Sequence, residues 1–149
     1  MPPRYSMRPL PDAPYIPGVS PRDQRPPPTA RIAAIDYDAL ASNDEFRHGI
    51  DLFNHGFPWE AHEAWEPLWF AAPRERTERS LLHGLIHAAA AAVKAKAGAL
   101  DPARNLVRSA LEYLALADAT ILDIEELGTA LTVWAHHPEE SPPVLLLRE

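Results

Sequence analysis

Beyond residue 43, apolar side chains recur every three or four positions, and no stretch keeps the apolar–polar alternation of a strand. The first such segment opens at Asn43 or Asp44, either of which can cap a helix. It buries Phe46, Ile50 and Phe53 and stops at Gly56. A second starts at Pro58, a favoured first-turn residue, and runs through Trp59, Trp65 and Trp69. Pro67 lies inside it and removes the bond to the Glu63 carbonyl, which predicts a kink or an early end. A third runs from near Pro73 to Ala97 before Gly98, with Leu82, Leu85, Ile86, Ala89 and Val93 on its apolar face. A fourth, with Asp101 as its cap and Pro102 behind it, buries Leu106, Val107, Ala110, Leu111 and Leu114. A fifth is capped by Asp123, carries Glu125 and Glu126 in its first turn and passes Leu127, Leu131 and Trp134. The pattern predicts an all-α class: a single compact bundle of about five helices.

Proline sets the boundaries. Ten of the 17 prolines fall within the first 28 residues, where neither a helix nor an inner strand can pass through them. Residues 1–43 therefore read as a proline-rich tail, extended or disordered or laid over the domain. Residues 44–137 read as the helical bundle. Pro138, Pro142 and Pro143 then end regular structure, leaving residues 138–149 as a C-terminal tail in which Val144 to Leu147 form an apolar strap.

Composition removes several function classes. There is no cysteine, hence no disulfide, thiolate metal site or thiol nucleophile. Net charge is −7, and the acidity is concentrated: residues 44–149 hold nine basic and 17 acidic side chains. An acidic globule lacks the basic face that nucleic-acid phosphates require. The longest uncharged apolar run, Ser80 to Val93, is too short to span a membrane. No phosphate-cradling glycine loop and no Gly-x-Ser-x-Gly elbow occurs. The expectation is an acidic, soluble, cytoplasmic domain; a homo-oligomer and a small-molecule ligand stay open as partners.

The chemistry concentrates in one run, Phe57-Pro-Trp-Glu-Ala-His-Glu-Ala-Trp-Glu-Pro-Leu-Trp69. At about 100° per residue, Trp59, His62, Glu63, Glu66, Trp69 and Phe70 share one helix face within roughly 120° of arc. Glu60 falls elsewhere and reads as a surface acid. An imidazole and two carboxylates among aromatics are neither a solvated face nor a plain core stripe, and burial would require a partner for each. The third helix offers His83 and His87, one turn apart on the flank of a helix kept thin by Gly84 and Ala88 to Ala92. If the second and third helices pair, His62, Glu66, His83 and His87 supply four donors suited to a divalent metal, Zn, Mn or Fe. Glu63 then serves as the general base on a bound water.

The stretch Trp59-Glu-Ala-His-Glu-Ala-Trp-Glu66 followed by Leu82-His-Gly-Leu-Ile-His-Ala-Ala88 resembles the domain of unknown function 309 family, small helical proteins of bacteria and archaea. Leu52-Phe53-Asn54 with Gly56, and Ala110 to Leu114, fit the same pattern, so the likeness spans about residues 46 to 114. It implies a compact helical bundle and brings no reaction with it. Glutamines are usual in that family where this chain has His83 and His87, which favours a hydrogen-bond network there over an obligatory metal.

Three functional readings follow. The cluster is a buried Trp/His/Glu polar site with a divalent metal; or it is a metal-dependent hydrolase centre with Glu63 as base; or it is structural, in an interaction or small-ligand-binding module. Arg104 or Arg108 could also neutralise the glutamates in place of a metal. His136 and His137, at a helix end, read as surface residues.

Overall fold

The computed structural model describes residues 1–27 and 35–148. Five α-helices carry the chain: α1 (Asp44–Asn54), α2 (Pro58–Ala71), α3 (Thr77–Lys96), α4 (Leu100–Leu114) and α5 (Ile124–His136). Short 3-10 turns at Arg22–Gln24 and Tyr37–Ser42 precede them. Each helix packs on the next in sequence, with α3 held between α2 and α4. The described residues contain no strand, only an isolated bridge between Leu122 and Leu147. No described helix is long and apolar enough to cross a membrane. The all-helical class expected from the sequence is what forms.

Local chemistry explains the helix ends. The Asn43 side chain accepts from the Phe46 N–H at 2.9 Å, and Asp123 does the same for Glu126 at 3.0 Å. At the end of α1, Gly56 takes a left-handed φ of +92°, and the Phe57 N–H reaches back to the Leu52 carbonyl. Two boundaries differ from expectation. Helix α4 begins at Leu100, so Asp101 lies in its first turn rather than at its cap. Helix α3 begins at Thr77, because Pro73 to Arg76 closes its own turn through the Arg76 N–H and the Pro73 carbonyl. Of the two outcomes expected at Pro67, the early end does not occur, and helix α2 continues to Ala71.

The core is built on Phe46, Ile50, Trp65, Leu68, Leu81, Leu82, Leu85, Leu114, Leu131 and the alanines of α3. Two glycines let helices close up. A methyl added at Gly84 would stand 2.6 Å from Leu114 Cγ and 3.2 Å from the Ala110 carbonyl, so α4 sits directly on α3 there. A methyl at Gly49 would collide with the Trp65 indole, whose Nε1–H donates to the Phe46 carbonyl at 3.2 Å.

Both ends of the chain are fastened to this frame. The fully buried Asp51 carboxylate of α1 accepts from Arg4 Nε at 3.0 Å, the Tyr5 N–H at 2.8 Å and the Ser6 N–H at 2.9 Å. Tyr15 and Ile16 are themselves buried. At the other end, the Asn54 amide makes a two-way bond with the Leu145 backbone, at 2.7 and 2.8 Å. The Leu147 N–H donates to the Tyr5 hydroxyl at 3.2 Å, so the two terminal segments also touch each other.

Candidate functional site

Helix α2 divides its side chains cleanly. Ala61, Ala64, Trp65 and Leu68 face the core, and the neighbouring face carries Trp59, His62, Glu63, Glu66 and Trp69. This face is half-buried rather than dry: the His62, Glu63 and Glu66 side chains are 18%, 21% and 55% exposed. Phe70, on the same face, is 60% exposed.

His62 is the best-defined group. Its Nδ1 lies 2.6 Å from the Trp59 carbonyl; a carbonyl can only accept, so Nδ1 carries the proton. The lone pair of the neutral ring is then on Nε2, which stands 3.7 Å from Glu63 Oε1 and 3.6 Å from Glu66 Oε2. The ring also rests edge-on against Trp59, centroids 4.7 Å apart.

A second group gathers at the far end of α2. His83 of α3 packs on Trp69 at 4.9 Å, lies 4.8 Å from His87 and stacks on Tyr113 of α4 at 3.6 Å. Burial pushes the His83 imidazole below its usual range, and the positive charges of His87 and Arg79 add to that. Burial alone does the same for His87. Both rings are therefore biased towards the neutral form. Arg79 lies over the Trp69 ring, 4.7 Å from its centroid, and donates to the carbonyls of Trp69 and Ala72 at 3.0 and 2.6 Å.

The four candidate metal ligands are thus brought together as two pairs, not as one set. Among the described residues, no three His, Asp or Glu side chains stand close enough to hold a metal ion. His62 and Glu66 meet, His83 and His87 meet, and Trp69 bridges towards the second pair. Neither Arg104 nor Arg108 reaches the α2 glutamates: Arg104 bonds Ala135 and Asp101, and Arg108 bonds Asn105. A cavity of about 660 Å³ opens between Phe53, His55, Ala92, Lys96, Trp134 and Pro142. None of the five candidate residues lines it.

Several participants were misread or missed in the sequence. Glu60 is no solvated acid: its Oε2 accepts from the Tyr15 N–H at 2.9 Å and fixes the N-terminal segment to α2. Tyr15 packs edge-on against Trp59 at 5.2 Å, and the Arg25 guanidinium lies 5.2 Å from the Trp59 centroid. Four buried polar atoms without a hydrogen-bond partner fall in this region: Trp59 Nε1, Glu60 Oε1, Trp69 Nε1 and His87 Nδ1. Such atoms are costly when no partner meets them. For Tyr113 a signal existed in Gly84, since the glycine that admits Ala110 and Leu114 sets the register that lays Tyr113 on His83.

Fold and site together define a small helical bundle with a half-buried aromatic, imidazole and carboxylate face. Residues 46–106 match the family model described as Domain of unknown function (DUF309), a match that runs from Phe46 in α1 through α2 and α3 into the first half of α4. All five candidate residues lie inside the matched segment, whereas Tyr15, Arg25 and Tyr113 lie outside it. No curated protein matches the chain.

Proposed function

We propose that His62, Glu63 and Glu66 form a proton-transfer site acting on a small molecule at the exposed edge of α2. The observation that supports this reading is the 2.6 Å contact from His62 Nδ1 to the Trp59 carbonyl. It orients the ring and leaves Nε2 as the basic atom, which is the arrangement a general base needs. The carboxylates of Glu63 and Glu66, 3.7 and 3.6 Å away, are placed to stabilise the imidazolium once Nε2 has taken a proton. In this reading Glu63 supports the base rather than being the base. A divalent ion on His62, Glu66, His83 and His87 has weaker support, because these donors form two separate pairs.

p-Nitrophenyl acetate, a small activated ester, serves as the probe. His62→Gln is expected to lower its hydrolysis by an order of magnitude or more, with Glu63→Gln and Glu66→Gln intermediate. His83→Gln is expected to leave the rate unchanged. Equal rates for wild type and His62→Gln overturn the proposal.

A further inference from the structure

The two half-buried tryptophans of α2 each carry a guanidinium, and they hold it differently. Over Trp69, Arg79 is anchored by two carbonyl hydrogen bonds and is part of the frame. Over Trp59, Arg25 has no such anchor. The residue is exposed, and among the described residues its side chain makes neither a hydrogen bond nor an ion pair besides its place over the indole. It extends from the proline-rich segment just after the Arg22–Gln24 turn, whereas the firm attachment of that segment to α2 is back at Tyr15, through Glu60. The indole thus receives a cation that only the ring itself retains.

We infer that Trp59 is the recognition ring for a guanidinium-bearing ligand, and that Arg25 occupies its place as an internal competitor. This rests on the reading of the His62 face as the functional one, and it names the ligand class for that face. The ring quadrupole attracts a planar cation. His62 touches the same indole, and its Nε2 leads on to the Glu63 and Glu66 carboxylates, which supply the charge that Arg25 does not pair with. The aromatic ring selects for a flat cation, and the carboxylates one imidazole away select for its charge.

Arginine amide is the test ligand, with citrulline amide, whose side chain is uncharged and of the same shape, as its counterpart, and binding is followed by NMR at the Trp59 indole N–H and the His62 ring. Arg25→Ala is expected to tighten binding of arginine amide roughly two- to fivefold, the factor that an exposed cation–π contact confers on its competitor. Glu63→Gln with Glu66→Gln, and separately Trp59→Phe, are expected to weaken it, and citrulline amide is expected not to bind. Equal binding by wild type and Arg25→Ala, equal binding of the two amides, or shifts confined to other residues would each overturn the inference. Ester hydrolysis lost in His62→Gln without arginine amide binding sinks the ligand class alone. Arginine amide binding with hydrolysis indifferent to His62 sinks the proton-transfer reading alone.

Discussion

The rings of His83 and Tyr113 lie 3.6 Å apart and 18° from parallel, so a histidine of α3 and a tyrosine of α4 share one flat contact. The contact depends on helix approach. With no side chain at Gly84, Leu114 and the Ala110 carbonyl come within touching distance of α3, and Tyr113, beside Leu114, is delivered onto His83. Because the stack contributes to the burial of His83, it also helps keep that imidazole neutral.

Tyr113→Leu is therefore expected to cost about 1 kcal/mol, the worth of an aromatic pair beyond its area. The same variant is expected to move the His83 titration upwards, towards the ordinary imidazole range. Urea unfolding and NMR titration measure the two effects; an unchanged His83 titration would separate its burial from the stack.

Lowered imidazole pKa values make stability depend on pH in one direction. Burial lowers His48, His83 and His87 in the folded chain, with Arg8 adding to the effect at His48. The unfolded chain then binds protons more readily than the folded one once pH falls below about 6.5. The contribution of these groups is complete above that pH and is lost on acidification towards and through the lowered folded values. Unfolding in urea at pH 7.5 and 5.5 is expected to show the loss, and His87→Gln is expected to flatten the profile between those points.

Close helix approach at the two glycines is equally exposed to test. Gly84→Ala is expected to destabilise by about 1–3 kcal/mol, since the new methyl meets Leu114 and a backbone carbonyl. Gly49→Ala pushes on the Trp65 indole and its bond to Phe46 and is expected to cost at least as much. Thermal melts of the two variants check this, and a melting temperature at or above wild type in either would contradict the packing described.

The N-terminal clamp has its own signature. Asp51→Asn replaces one acceptor oxygen with an N–H₂ donor that faces the donors of Arg4, Tyr5 and Ser6. Hydrogen bonds to a charged group contribute about 1.5–3 kcal/mol each, so a loss of that order is expected. Hydrogen exchange at Tyr5 and Ser6 is expected to accelerate strongly while the amides of α3 stay protected.

These relationships mark where the sequence was legible. The helices were, because Phe46, Ile50 and Phe53, or Leu127, Leu131 and Trp134, repeat at helical spacing beside recognisable caps. Asp101 misled because an acid in a helix's first turn looks like a cap from its sequence alone. The α2 face was legible as a grouping, since His62, Glu63 and Glu66 are neighbours on one helix. Its partners were not. Tyr15, Arg25 and Tyr113 come from distant segments, and nothing local in a polyproline stretch announces that Glu60 will hold it. Nor does periodicity say how two helices rotate, so the expected junction of His62 and Glu66 with His83 and His87 became two pairs.

¹⁵N NMR of the His62 ring measures directly which of its two nitrogens carries the proton. The neutral ring is expected to carry its proton on Nδ1 and to leave Nε2 bare. A neutral ring protonated at Nε2 would contradict the account, because the Trp59 carbonyl would then not be orienting it and no base would face the two glutamates.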